Sequence, residues 1–80
     1  MGSPYFLRAG HSDARVVVHR VAVDAAGVPY RRVDMLGLEV GRAYSTEDVK
    51  AIMVRCGMPP EAFDQPAVVE WLGDGPDVWE

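Results

Sequence analysis

Residues 15–24, RVVVHRVAVD, hold five valines in ten positions. Valine is stiff at χ1 and fits a pleated strand better than a helix. This run predicts a strand, and the residues after it predict its partner. The stretch DAAGV (24–28) suits a three-residue hairpin loop of Ala25, Ala26 and Gly27, with Gly27 in the left-handed conformation of a type I turn plus bulge. The chain then returns through PYRRVDMLGL (29–38), starting at Pro29, which donates no hydrogen bond and suits the beginning of a strand. Setting Asp24 opposite Val28 fixes a register. One face then carries Val17, His19, Val21, Val23, Val33 and Met35. The other carries Arg20, Ala22, Tyr30, Arg32 and Asp34, with Val16 and Val18 near its far end. A slip of one residue would set Arg20 against Arg31 among valines, which disfavours it.

The flanking segments fill out an architecture. PYFLRAG (4–10) reads as an earlier strand that ends in the turn-rich AGHSD. LEVGRAYSTED (38–48) reads as a connector closed by a helix start: Ser45 can cap the free N–H groups, and Glu47 and Asp48 complement the positive helix end. Asp48 occupies the capping-box position, where Glu or Gln is the better match. Over 46–56, Val49, Ile52, Met53 and Cys56 recur at i, i+3, i+4 and i+7, one apolar stripe. Arg55 lies near the negative end, Gly57 marks the stop, and Pro59 and Pro60 follow. PPEAFDQP (59–66) is a turn or a single helical turn with Phe63 pointing inward. Pro66 and Gly73 leave six residues between them, short for a helix and ordinary for a strand, so residues 66–72 are read as a strand. GDGP (73–76) then turns the chain so that Trp71 lies in the core and Trp79 anchors the tail. The expected fold is a single α+β domain over 1–80. It has a small antiparallel sheet in β-β-β-α-β order, with one amphipathic helix packed on one face.

Eighty residues allow one core, and a chain of this size has a thin stability margin. Cys56 is the only cysteine, so no internal disulfide can add to that margin, and self-association is one alternative source. Composition is ordinary for a globular domain, with 49% apolar and 25% charged residues. No apolar run approaches the ~18 residues of a spanning helix, and the first residues lack the basic and apolar regions of a secretory leader. The expectation is a cytosolic protein. Seven arginines against one lysine, with one isoleucine and no asparagine, match the bias of a GC-rich bacterial genome.

Charge is uneven. Residues 1–42 hold six arginines against four carboxylates, a net +2, while residues 43–80 hold two basic residues against eight carboxylates, a net −6. The overall −4 argues against nucleic acid, whose affinity comes from clustered Lys and Arg. Catalytic chemistry finds no pattern either. Cys56 falls at the helix C-terminal end on the apolar stripe, where a buried, inert thiol is expected, since reactive thiols favour helix N-termini or cationic neighbours. His11 and His19 lack metal-ligand spacing with Cys56, and no phosphate loop or nucleophile elbow occurs. No cofactor or metal is expected. The candidate site is instead a partner-binding cluster of Arg20, Tyr30, Arg31 and Arg32, because Arg and Tyr concentrate at interface hot spots. The expected function is a small non-catalytic protein–protein interaction module, a regulator or accessory subunit, that binds a protein partner or a second copy. The alternatives are a nucleic-acid-associated protein using the arginine-rich hairpin, or a small subunit that completes the active site of a larger enzyme.

Overall fold

The computed structural model describes residues 14–80. The strand expected over residues 4–10 lies outside the described residues, as does His11. Strand β1 (Val16–Val23) and strand β2 (Pro29–Met35) form the expected hairpin. The Asp24 N–H donates to the Val28 carbonyl at 2.9 Å, and Gly27 takes φ +83°. The Asp24 carboxylate holds the loop by accepting the N–H groups of Ala26 and Val28 at 2.8 and 2.9 Å.

The segment read as a connector begins with a strand. Strand β3 (Leu38–Ala43) pairs antiparallel with β2 across a two-residue turn at Leu36 and Gly37. Helix α1 (Thr46–Arg55) starts where expected, with the Ser45 hydroxyl accepting the Asp48 N–H at 3.3 Å. Its stripe of Val49, Ile52 and Met53 is buried. Cys56 is not: it is the C-cap residue, beyond the last full turn, and its thiol is exposed. A 3-10 turn, Pro60–Asp64, leads to strand β4 (Val69–Trp71).

The fold is α+β, with strands β1 to β3, the helix and β4 in chain order and a sheet order of β3-β2-β1-β4. Helix α1 and the 3-10 turn lie between β3 and β4 and form the crossover that parallel pairing requires. Strand β4 accordingly joins β1 in parallel, setting Val16 against Val69 and Val18 against Trp71, so the sheet is mixed.

The core differs from the expected register in one respect. Val18 pairs with Val33 but Val21 pairs with Arg31, so β1 carries an extra residue at His19–Arg20. A bulge of this kind changes which side chains face inward. Beyond it Val16 and Val18, not Val17 and His19, face the core, joined by Val33, Ala43, Val49, Ile52, Met53, Ala62 and Val69. Val23, past the other end, is 62% exposed. The helix lies close on β3, where a Cβ on Gly41 would stand 3.2 Å from Ile52 Cδ1.

Candidate interaction face

Helix and 3-10 turn cover one face of the sheet; among the described residues no helix covers the other. Alternation from Val33 and Arg31, which point inward, places Tyr30, Arg32 and Asp34 on this outer face. Pairing adds Arg42 opposite Arg32 and Glu39 opposite Asp34. The bulge brings His19 to the same side. Its Nε2 lies 2.8 Å from Asp34 Oδ2, and Arg32 binds the same carboxylate through Nε at 3.1 Å. Arg32 Nη2 is also 3.0 Å from His19 Nε2.

A second cluster continues toward the hairpin loop. The Arg42 guanidinium stacks over the Tyr30 ring at 4.4 Å, and the Tyr30 and Tyr44 rings are 6.1 Å apart. The Tyr44 hydroxyl donates to Asp24 Oδ2 at 3.0 Å. The N–H donation by Val28 is the main cause holding the Asp24 carboxyl below its usual value, with Tyr44, Ala26 and the charge of Arg42 adding to it against some desolvation. The same bond to Asp24 raises the Tyr44 phenol above its ordinary value.

Of the four residues expected to form the partner site, the structure brings two together on this face, Tyr30 and Arg32. Arg20 sits in the bulge with its aliphatic stem over Gly73, where a Cβ would come within 2.7 Å of Arg20 Cγ. Arg31 is on the opposite side and fully buried. It is no part of any surface. Its Nε donates to the His19 carbonyl at 2.8 Å, Nη1 to the carbonyls of Gly75 and Val78, and Nη2 to those of Leu72 and Asp74. All five donors of the guanidinium are thereby used. Trp71 and Trp79 flank it at 5.1 and 5.6 Å, their rings nearly perpendicular to one another. Burial lowers the Arg31 pKa, and the charge of Asp74 opposes that shift. The C-terminal residues therefore fold around one inward arginine, with Trp79 Nε1 donating to the Pro76 carbonyl at 2.8 Å.

Arg42 and Tyr44 were not among the expected site residues. The signal that could have found them is the i, i+2 spacing of Arg42 in β3 and Tyr44 just past its end, and it is hidden when 38–48 is read as a connector.

A half-open cleft of about 240 Å³ lies between the 3-10 turn and the tail, lined by Phe63, Asp64, Gln65, Pro66, Val69, Trp71 and Pro76. It falls below the ~300–1,000 Å³ of small-molecule sites. Among the described residues no three His, Cys, Asp or Glu side chains converge on a metal position, and no helix is long and apolar enough to cross a membrane. No known protein family, curated protein or solved structure matches the chain.

Proposed function

We propose that the chain is a non-catalytic protein–protein interaction module that docks a protein partner on the outer face of its sheet. The observation that carries this reading is the rigid presentation of Tyr30 and Arg32 beside the Arg42–Tyr30 stack, on strands that the helix backs from the other side. Arginine and tyrosine held on a strand lose little ordering entropy on contact, and both types concentrate at hot spots. Carboxylates are interleaved with the cations here: Asp24 and Asp34 both accept bonds on this face. Such a mixed surface suits a protein of complementary charge pattern and disfavours a polyanion such as nucleic acid.

The test is affinity capture from the native host with the parent chain and with a Tyr30→Ala, Arg32→Ala variant. A partner held by the parent should be retained at least tenfold less by the variant, because hot-spot truncation costs about 2 kcal/mol or more. Arg32 is exposed and contributes little to stability, whereas Tyr30 is half-buried under Arg42, so circular dichroism and a melt of the variant must first show the parent's fold. Equal retention by both chains would remove this face from consideration.

A further inference from the structure

We propose that two copies of this chain associate through their β3 edges, so that two four-stranded sheets become one eight-stranded sheet. Strand β3 is the end strand of the sheet order, and no strand lies on its outer side among the described residues. Such an edge is a template for another strand. The charges on β3 decide which strand fits.

Within one copy, β3 is badly matched to its neighbour. Glu39 stands directly opposite Asp34, and Arg42 directly opposite Arg32. Like charges directly opposite one another are destabilising. Asp34 is compensated by Arg32 and His19, and Arg42 lies on Tyr30. Glu39 has no ion-pair partner among the described residues.

Antiparallel self-pairing about the middle of LEVGRA relieves both mismatches. It sets Glu39 opposite Arg42 of the second copy, and Arg42 opposite Glu39 of the second copy. In an unbroken strand, positions three apart point to opposite faces, and this pairing would fail. The β2–β3 register shifts between Val33 and Asp34, however, so that Glu39 and Arg42 lie opposite residues only two apart and share the outer face. The bulge therefore makes the strand complementary to itself. Leu38, 71% exposed, gains Ala43 of the second copy as its cross-strand neighbour. The contact is a symmetric two-fold one of small area, so it is expected to be weak, with dissociation in the micromolar to millimolar range.

The experiment is sedimentation velocity on the full chain from about 10 to 500 µM, the range in which a contact of that affinity titrates. The parent should pass from the 8.8 kDa monomer toward a dimer. Glu39→Arg and Arg42→Glu should each weaken dimerisation at least tenfold, by placing like charges face to face. The double variant Glu39→Arg, Arg42→Glu should recover most of it. Circular dichroism of each variant confirms that it is folded, and amide exchange on the unmodified chain gives a second measurement. Protection of the β3 amides that point away from β2 should rise with concentration. A parent that stays monomeric overturns the proposal, including one whose β3 amides that point away from β2 are protected at every concentration, because that edge is then covered from within. A dimer that ignores the single reversals, or is not recovered by the double one, overturns it equally. The outer-face variant Tyr30→Ala, Arg32→Ala should still dimerise, so this result is independent of partner docking.

Discussion

Arg31 and Val78 are 47 positions apart, yet the guanidinium of the first donates to the carbonyl of the second at 2.8 Å. Together with the bonds to Leu72, Asp74 and Gly75, that contact makes one buried cation the organiser of the chain's last nine residues. Loss of the guanidinium would strand carbonyl groups around a hole between two tryptophans. Arg31→Ala is therefore expected to cost about 3 kcal/mol or more, the range for leaving buried charge-assisted partners unmatched. In a domain of this size that lowers the melting temperature by roughly 12 °C or more. Arg31→Lys should cost nearly as much, because a single ammonium cannot replace a five-donor fork. Thermal melts followed by tryptophan fluorescence would check this. A loss no greater than for Arg32→Ala would mean that the tail is held by something else.

Removal of residues 74–80 probes the same site from the other side. The truncated chain loses Trp79 and the acceptors at Asp74, Gly75 and Val78, but water can then reach the guanidinium and satisfy it. The expected loss is thus smaller than for Arg31→Ala, about 1–2 kcal/mol, with the sheet and helix retained. Urea denaturation of the truncated and parent chains gives the comparison. Equal midpoints would show that the tail contributes no stability.

Where the sequence was legible, one local rule acted alone. Ser45 and the Val49–Ile52–Met53 stripe announced helix α1, and Gly27 announced the hairpin loop. Val69 and Trp71 extend as their β propensity implies. The reading failed where a bulge intervened. The extra residue at His19–Arg20 exchanged the faces of half a strand, and the irregularity in β3, with Gly41 under Ile52, erased the alternation that marks a strand. Arg31 was misplaced for a different reason. In the Asp24–Val28 register it shares a face with Val33, and only the tail's carbonyls, more than 40 residues later, make an arginine acceptable there.

The acid side of the stability profile should report on Asp24. Its folded pKa lies below the 3.8 of a free side chain, chiefly through the Val28 N–H. A lowered carboxyl pKa contributes stability that is present above the unfolded value and lost as pH falls through the folded one. Asp24→Asn should therefore flatten the loss of stability below about pH 4 and leave the slope near neutrality unchanged. Tyr44→Phe removes one of the donors, so the Asp24 carboxyl midpoint, followed by carbon-detected NMR titration, should move upward. Tyr44 itself is raised, and its contribution is lost only as pH climbs through the phenol's folded value. A midpoint for Asp24 that is unaffected by Tyr44→Phe would show that this bond does not persist in solution.

Leu36 carries a testable strain. It is the one non-glycine residue with positive φ among those described, at +53°, and with Gly37 at +86° it forms the tight turn between β2 and β3. Positive φ at both central positions defines a type I′ turn, for which Asn-Gly is the preferred pair. A left-handed leucine crowds its Cβ against the following carbonyl, at a cost of roughly 1–2 kcal/mol that Asn partly avoids by local hydrogen bonding. Burial does not compensate, because Leu36 is 75% exposed. Leu36→Asn is thus expected to raise stability by about 0.5–1 kcal/mol, or a melting temperature higher by roughly 2–8 °C. Leu36→Gly should gain less, because glycine loses more backbone entropy on folding. Leu36→Val should be worse than the parent, since a β-branched side chain tolerates this region least. Denaturation midpoints of the four chains provide the ranking, Asn above Gly above Leu above Val. A stability loss in Leu36→Asn would mean that the exposed leucine makes a contact in solution that outweighs its backbone strain.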